Sequence, residues 1–305
     1  MWRTMVAEFV RRARRATDLK GKNDRRQPPS PDGSRLLFVG GAPRSGTTLL
    51  QHILDSHPDV FGGPEFDCIP AIMRAWRSVV AALEQGRIAV FCSRAQIDTS
   101  FATMIESLLL PAADAHGSRL LSEKTPFNVL VLSDLLELFP KCRAIHVVRD
   151  PRGVVASMLK VADRIRAKNA PAPDFVQDVR SAAEFTTASL NAGFHAEGAF
   201  PGRVLTLTYE TLVREPEPAI KRACAFLDIP FYPEMLQPHS KKHPAEDAIQ
   251  RLDDGRWLDP ALGSRPIEVS RVAVWQQELD AAQIDHVNAA FRDHPGLRAL
   301  GYRFA

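Results

Sequence analysis

Short apolar runs of strand length alternate with helical patterns in the first half of the chain. Residues 36–41 (LLFVGG) and 144–148 (AIHVV) are largely apolar runs, which is typical of strands covered on both faces. Leucines and an isoleucine at helical spacing follow the first run after a short turn. Strands that alternate with helices favour a parallel sheet. We therefore predict an α/β protein with a P-loop-like three-layer fold, in which a mostly parallel central sheet is flanked by helices.

The first 34 residues follow a different pattern from the rest. Apolar residues from Trp2 to Ala13 recur at helical spacing, with arginines mostly off that stripe, which predicts an amphipathic helix. Three interpretations stay open: residues 1–15 lie on an anionic membrane surface, dock on the body as an ordinary terminal helix, or form a frayed tail. The polar, proline-rich residues up to Ser34 predict a linker. The predicted organisation is an arm and linker over 1–34 and an α/β domain over 35–305.

Charge and cysteine content narrow the class of protein. The 305 residues carry a net charge of +3, and residues 1–27 hold nine Lys and Arg against three Asp and Glu, so the arm is +6 and the rest is −3. A nearly neutral body argues against nucleic-acid binding. The four cysteines form no CxxC pair, which argues against structural zinc and favours a reducing compartment. The sequence has no apolar run near the ~18 residues of a membrane span and no signal peptide pattern. We therefore expect a cytoplasmic protein. Contact with a membrane surface through residues 1–15 stays open.

A phosphate-binding loop follows the first predicted strand. A glycine-rich turn leads into a helix that opens with Thr47 and Thr48, and such a turn offers backbone N–H groups and hydroxyls to an anion. The spacing Gly41-x4-Gly46 matches a Walker A loop, but Thr47 stands where the nucleotide-hydrolysing pattern has lysine. Arg44 supplies a cation within the loop instead. The pattern favours a phosphorylated ligand and disfavours hydrolysis of ATP or GTP.

A second anion-binding pattern follows the strand at 144–148. Arg149 stands at the end of that strand, Asp150 fits a helix N-cap and Pro151 fits the first helical position. Ser157 follows Arg149 by eight residues along the predicted helix. Ligands of open parallel sheets bind at the carboxyl ends of the strands, where an arginine fork and a hydroxyl suit a phosphate. His146, within the strand, is expected to be packed rather than catalytic.

Together, APRSGTTLLQHILDSHPDV and VVRDPRGVVASML resemble the sulfotransferases that use 3′-phosphoadenosine 5′-phosphosulfate (PAPS). The resemblance implies transfer of a sulfuryl group from PAPS to a hydroxyl, without a metal ion, leaving 3′-phosphoadenosine 5′-phosphate (PAP). It implies that Arg149 and Ser157 hold the 3′-phosphate. It also implies that the 5′-phosphosulfate is held by the loop residues Arg44, Ser45, Gly46, Thr47 and Thr48.

Three further segments resemble the same family. LSEKTPF, residues 121–127, is similar to the segment whose lysine meets the sulfuryl group, which implies that role for Lys124. Arg44 and Lys124 would both be catalytic, because together they would stabilise the transferring group and the bridging oxygen. VLTLTYETL, residues 204–212, is similar to a strand whose tyrosine contacts adenosine, which implies that role for Tyr209. Arg265, ten residues before Trp275, is similar to a late basic segment that closes over the nucleotide.

The branch that contains tyrosylprotein sulfotransferases is the most similar in motif pattern. It implies that Glu65 is the general base, which removes the proton of the acceptor hydroxyl. Asp67 departs from that branch, which carries an arginine there against an acidic acceptor peptide, and an aspartate would repel such a peptide. The acceptor class stays open among small molecules, glycans, lipids and peptides.

The motifs leave two other functional classes open. A P-loop kinase-like phosphotransferase and a non-catalytic nucleotide-binding module are the alternatives to sulfuryl transfer.

Loops and insertions on a rigid scaffold commonly carry specificity. We therefore expect the predicted helices at 71–85 and 100–115, together with residues 160–200, to form the walls of the acceptor site.

Overall fold

A computed structural model describes residues 31–241, 257 and 265–304. Within these residues, five parallel strands form one sheet in the order β2-β3-β1-β4-β5. The strands are β1 (Leu36–Gly41), β2 (Val60–Gly62), β3 (Leu120–Lys124), β4 (Arg143–Val148) and β5 (Val204–Thr208). The predicted α/β fold with a parallel central sheet is confirmed.

Helices connect the strands and pack on both faces of the sheet. In chain order they are α1 (Thr47–Asp55), α2 (Ile69–Glu84), α3 (Arg94–Ala115), α4 (Leu132–Leu138), α5 (Pro151–Ala167), α6 (Val179–Ala199), α7 (Tyr209–Arg214), α8 (Pro216–Leu227), α9 (Trp275–Glu278), α10 (Ala281–Phe291) and α11 (Pro295–Ala299). A 3₁₀ segment, Pro126–Val131, joins β3 to α4. No described helix combines the length and the apolar composition that a membrane crossing requires.

Alternating side chains of β1 enter two different cores. Leu36 and Phe38 pack with α2, α3 and α4 on one face of the sheet, whereas Leu37 and Val39 pack with α1 and α8 on the other. This alternation is what a strand covered on both faces requires. A third apolar cluster joins α5, α6 and the C-terminal helices. The result is a three-layer arrangement around a sheet whose carboxyl edge stays open.

Local signals set several element boundaries. Asp150 caps α5 by accepting a 2.9 Å hydrogen bond from the backbone N–H of Arg152, and Pro151 is the first helical residue, as predicted. The segment 204–212 was predicted as one strand, but β5 ends at Thr208 because the Thr208 hydroxyl caps α7 by accepting a 3.1 Å hydrogen bond from the N–H of Thr211.

Most of the predicted N-terminal arm and linker lies outside the described residues, including all of 1–30. The last part of the predicted linker contacts the body. Asp32 forms an ion pair of 2.8 Å with Lys141, and the N–H of Gly33 donates a 3.0 Å hydrogen bond to Glu106. These contacts attach residues 32 and 33 to α3 and to the turn before β4.

Candidate active site

A cavity of about 660 Å³ opens at the carboxyl edge of the sheet. It lies where the loops after β1, β3, β4 and β5 meet, which is the usual ligand position in open parallel sheets. Of the site residues predicted from the sequence, all but Ser45 line it: Arg44, Gly46, Thr47, Thr48, Glu65, Lys124, Arg149, Ser157, Tyr209 and Arg265.

The phosphate-binding loop turns sharply at Gly46 to begin α1. Gly46 has φ 101° and a Cβ there would lie 2.6 Å from the Tyr209 ring, so both backbone and space require glycine. The N–H groups of Thr47 and Thr48 belong to the first helical turn, where no earlier carbonyl within the helix accepts them. They are therefore available to an anion, as the sequence predicts.

Ser45 serves the loop rather than the cavity. Its backbone N–H donates a 3.0 Å hydrogen bond to the carbonyl of Ala42. Its side chain is 1 % exposed and its hydroxyl would lie 2.6 Å from a Cβ built on Gly41. The loop thus uses the Ser45 amide to close its turn, whereas the Ser45 hydroxyl has no hydrogen-bond partner among the described residues. That Ser45 helps to hold the 5′-phosphosulfate stays a prediction.

Arg149 is fixed at the end of β4 by contacts on three sides. It is 8 % exposed, and it donates hydrogen bonds to the carbonyls of Arg44 (3.1 Å) and Arg271 (2.7 Å). Its guanidinium lies 4.5 Å from the centre of the Tyr209 ring, a cation–π contact. The predicted adenosine residue Tyr209 thus also orients the predicted phosphate residue Arg149.

Arg44 and Ser157 lie together beside Arg149. Arg44 has φ 75°, and its Nε donates a 3.0 Å hydrogen bond to the Ser157 hydroxyl. Another guanidinium nitrogen donates a 3.0 Å bond to the carbonyl of Trp257. The structure therefore groups Arg44 with the two residues predicted at the 3′-phosphate.

Positive charge accumulates in this part of the cavity. Burial, together with the charges of Arg164, Arg149 and Arg271, lowers the pKa of Arg44 to about 10. Burial also lowers the pKa of Arg149. Converging guanidinium groups repel one another, and a bound polyanion would offset that repulsion.

Lys124 and Glu65 form an ion pair beside the phosphate-binding loop. The ammonium lies 2.6 Å from Glu65 Oε1 and 3.4 Å from the Thr48 hydroxyl. The Lys124 side chain is 2 % exposed and that of Glu65 is 29 % exposed, so the carboxylate faces the cavity while the lysine is enclosed. A cation and a base are thus in direct contact at one wall of an anion-binding cavity.

Three basic residues that are not among the individually predicted site residues also line the cavity. Lys160 and Arg164 lie on α5, and Arg271 follows Arg265 along the chain. Lys160 is ion-paired with Glu278 of α9, and Arg164 donates a 3.2 Å hydrogen bond to the Trp257 carbonyl. The spacing of Ser157, Lys160 and Arg164 at three and four residues places them on one helix face, which was the available signal.

The acceptor walls differ in part from the prediction. No residue of α2 or α3 lines the described cavity, so the prediction is wrong for these helices, because their apolar faces build the core beside α4. The segment 160–200 does contribute. Its lining residues are Lys160 and Arg164 of α5. Phe175 and Phe185 do not line the cavity, but their rings each lie 5.6 Å from that of the cavity residue Phe127.

His146 is packed inside the sheet, as predicted. It is 0 % exposed, and neither ring nitrogen has a hydrogen-bond partner within the described part of the chain. Burial, with a smaller contribution from His294, lowers its pKa to about 3. This histidine is neutral at ordinary pH and lies away from the cavity.

Two solved structures of sulfotransferases have a similar fold. The sulfotransferase domain from the curacin biosynthetic pathway superposes with a TM-score of 0.58 at 20 % identity, over 88 % of this chain and 98 % of that domain. A mouse sulfotransferase solved in complex with PAP superposes with a TM-score of 0.50 at 15 % identity, over 88 % of each chain. At these identities the match establishes the fold.

Sequence comparison reaches further. Protein-tyrosine sulfotransferase A of Caenorhabditis elegans is 27 % identical over 281 residues, which span 88 % of this chain and 67 % of the relative. Protein-tyrosine sulfotransferase 1 of Danio rerio is 29 % identical over 273 residues, which span 88 % of this chain and 72 % of the relative. A sequence model of the Sulfotransferase family matches residues 37–234. As its sequence motifs predicted, the chain belongs to the sulfotransferase family and matches its protein-tyrosine sulfotransferase branch.

Proposed function

We propose that this protein transfers the sulfuryl group of PAPS to a hydroxyl group of a peptide or protein, with Glu65 as the general base. The observation that carries the proposal is the contact between Lys124 and Glu65 beside the phosphate-binding loop. A base and a cation within 2.6 Å of each other match the two needs of the reaction. The acceptor must lose a proton, and the leaving phosphate must be stabilised.

The polyanionic sulfuryl donor fits the charge of the cavity. The N–H groups at the start of α1, with the hydroxyls of Thr47 and Thr48, would hold the 5′-phosphosulfate. Arg149 and Ser157 would hold the 3′-phosphate. Arg44 belongs to the phosphate-binding loop and also contacts Ser157, so it could reach either phosphate group of the donor. The exposed part of the Tyr209 ring would meet the adenosine. The lowered pKa of Arg44, caused by burial and by the charges of Arg164, Arg149 and Arg271, supports this assignment, because a bound polyanion would stabilise the buried cation and offset that repulsion.

The proposed reaction is a single in-line displacement. Glu65 takes the proton of the acceptor hydroxyl while that oxygen forms a bond to sulfur. The bond between sulfur and the bridging oxygen of PAPS breaks, and its electrons leave with PAP. Lys124 donates hydrogen bonds to the transferring group and the leaving oxygen, which requires the ammonium to shift from Glu65 toward the donor and frees the carboxylate to act.

Fixed cations of the protein would supply the charge stabilisation. A sulfuryl group carries less negative charge than a phosphoryl group, so we propose that lysine and arginine replace the magnesium ion that phosphoryl transfer uses. Thr47 stands where a P-loop kinase has the lysine that binds the β- and γ-phosphates. The proposal therefore separates this site from an ATP-dependent one by both donor and metal.

The proposed acceptor differs from a strongly acidic peptide. The curated relatives are named protein-tyrosine sulfotransferases, which supports a peptide hydroxyl here. Asp67 lines the cavity two residues after Glu65, and its negative charge would repel acidic flanking residues. We propose a hydroxyl in a neutral or basic sequence context, next to the aromatic wall at Phe127.

Transfer of labelled sulfate tests the function. The purified protein is incubated with ³⁵S-labelled PAPS and four acceptor groups: tyrosine peptides with basic, neutral or acidic flanks, phenols, glycans and lipids. The proposal expects labelled basic or neutral peptides without added metal. Labelling of glycans or lipids alone would overturn the acceptor, and transfer from γ-labelled ATP without any from PAPS would overturn the donor.

The reducing environment expected from the sequence remains a proposal. Cys68, Cys92, Cys142 and Cys224 are all free thiols. Their lack of pairing supports a cytoplasmic setting. Fractionation of cells that produce the full chain would test it, and recovery within the secretory pathway would contradict it.

A further inference from the structure

The residue beside Lys124 is a buried carboxylate that the proposed chemistry does not use. Glu123 is 2 % exposed. Its Oε1 accepts hydrogen bonds from the backbone N–H of Phe66 (3.1 Å) and from the hydroxyl of Thr125 (2.7 Å). Its Oε2 accepts one from the amide of Asn128. Burial raises the pKa of Glu123, so the fold keeps this group against a desolvation penalty.

The hydrogen bonds of Glu123 and Thr125 reach the loop that carries Glu65. Besides the Phe66 amide held by Glu123, the Asp67 N–H donates a 3.2 Å hydrogen bond to the Thr125 hydroxyl. The two amides that directly follow Glu65 are thus both attached to the end of β3. Asp67 has φ 54°, a left-handed conformation that needs outside support in a residue other than glycine.

The pleat of β3 separates two tasks. Successive side chains of a strand point to opposite faces, so Lys124 enters the cavity and Glu123 turns toward the backbone of the loop. Both ends of the Lys124–Glu65 pair therefore depend on the same three residues, 123–125. Any shift of the loop relative to β3 would change the distance between base and cation.

We propose that Glu123, together with Thr125, is a positioning residue that fixes the Glu65 loop against β3 and so holds the base at its place beside Lys124. The inference rests on the proposed function, in which Glu65 is the base. A displacement of about 1 Å in a reacting group can lower a rate about 100-fold, so a clamp on two backbone amides has a measurable effect on turnover.

Three variants and one control separate positioning from general stability. Glu123→Ala removes both acceptor oxygens. Glu123→Gln keeps Oε1 for Phe66 and Thr125, and its new N–H₂ group can face the Asn128 oxygen, which has no partner among the described residues. Thr125→Val removes only the hydroxyl. The control is Glu106→Ala, since Glu106 likewise accepts a backbone N–H, that of Gly33 at 3.0 Å, but outside the cavity.

Two readouts test the proposal on the full chain. Hydrogen exchange of the Phe66 and Asp67 amides, followed by NMR, reports the clamp directly. We expect exchange to rise about 10-fold or more at both amides in Glu123→Ala and at Asp67 in Thr125→Val. The turnover number kcat should fall about 100-fold in Glu123→Ala, with KM for PAPS changed less than about 3-fold, whereas Glu123→Gln recovers most of the rate and Glu106→Ala changes neither readout.

The outcomes distinguish the clamp from the proposed function. Unchanged protection of both amides in Glu123→Ala and in Thr125→Val would overturn the clamp. An equal loss of kcat in Glu123→Ala and Glu123→Gln, with protection kept in Glu123→Gln, would overturn positioning in favour of a role for the charge. If the wild-type protein transfers no sulfate, the proposed function fails, while hydrogen exchange still decides whether the clamp exists. Should Glu123→Ala not fold by circular dichroism, Thr125→Val carries the same test.

Discussion

The ammonium of Lys124 lies 2.6 Å from the carboxylate of Glu65, which places a buried cation and a partly exposed base in one ion pair. The lysine is the more deeply buried partner, and removal of one member of a buried pair leaves the other charge uncompensated. The pair therefore keeps Lys124 compensated until a ligand brings negative charge. It also means that changes at Glu65 must preserve the hydrogen bond to Lys124 if their effect on chemistry is to be isolated.

Glu65→Gln is the substitution that meets this condition. The amide oxygen still accepts from Lys124, but the side chain no longer takes a proton. We expect kcat to fall about 10²- to 10⁴-fold, the usual contribution of a general base, with PAP affinity changed less than about 3-fold. Single-turnover rates and calorimetry measure the two effects. The control is Glu84→Gln, which makes the same change from carboxylate to amide at an exposed position of α2. Full activity of Glu65→Gln would dismiss Glu65 as the base.

Asp67→Arg should invert the preference for the charge of the acceptor. An arginine at this position would attract acidic flanking residues, whereas aspartate repels them. The ratio of kcat/KM for a peptide with acidic flanks to that for one with basic flanks should rise about 10-fold or more. Two unit charges about 4 Å apart interact by about 1 kcal/mol even in bulk water, and the substitution reverses the sign of this interaction for both peptides. Asp67→Asn should lie between the two. An unchanged ratio in both variants would show that Asp67 does not select the acceptor.

Arg149→Ala should remove the discrimination between PAP and AMP, which differ only in the 3′-phosphate. Loss of a buried, hydrogen-bonded charge contact weakens binding by about 2–5 kcal/mol, or about 30-fold or more, and the loss should fall on PAP alone. The ratio of the two dissociation constants is the measurement, because partial unfolding changes both alike. Arg149→Lys, which keeps the charge without the fork, should retain part of the preference. A ratio that stays at the wild-type value would place the 3′-phosphate elsewhere.

His146 should make the folded state less stable in acid. Burial lowers its pKa to about 3, whereas in the unfolded chain the ring takes up a proton near pH 6.5. The unfolded state therefore binds more protons between these values, and stability falls with falling pH by up to about 1.4 kcal/mol per pH unit. Stability above pH 6.5 is unaffected by this group.

Urea unfolding at pH 7 and pH 5 measures this contribution. His146→Leu removes the titrating ring without breaking any hydrogen bond that the described residues make, because none of them pairs with either ring nitrogen. The wild-type protein should lose about 2 kcal/mol more than the variant between the two pH values. The ring of His294, which faces Phe194 beside His146, is present in both proteins, so its own titration cancels. Equal losses would contradict the buried neutral state.

Features that depend on residues close together in the sequence were predictable. The glycine-rich turn, the cap at Asp150 and the proline after it act within a few residues, so their composition and order alone placed two helix starts and two sets of anion-binding groups at the sheet edge. The motif order also identified the family. Cavity residues from distant loops, such as Glu65 and Lys124, could be brought together only by resemblance, since nothing local joins β3 to the loop at residue 65.

Contacts that depend on tertiary packing were not predictable. The carbonyl of Arg271 accepts a hydrogen bond from Arg149, and a contact through a backbone carbonyl carries no sequence signal. Ser45 belongs to the motif, yet its amide is used inside the turn. Helices α2 and α3 were expected at the acceptor wall, but their apolar faces pack beside α4 in the core. Whether an amphipathic helix covers a core or a ligand depends on the tertiary fold, which its own sequence does not show.

Calorimetric titration of the wild-type protein with PAP, ADP and ATP, each with and without Mg²⁺, tests the central claim most directly. The cluster of Arg149, Ser157 and Arg44 and the absence of the P-loop lysine predict that PAP binds at least about 30-fold more tightly than ADP, and that Mg²⁺ leaves PAP affinity unchanged. Preferential binding of ATP that depends on Mg²⁺ would contradict the assignment of this cavity to a sulfuryl donor.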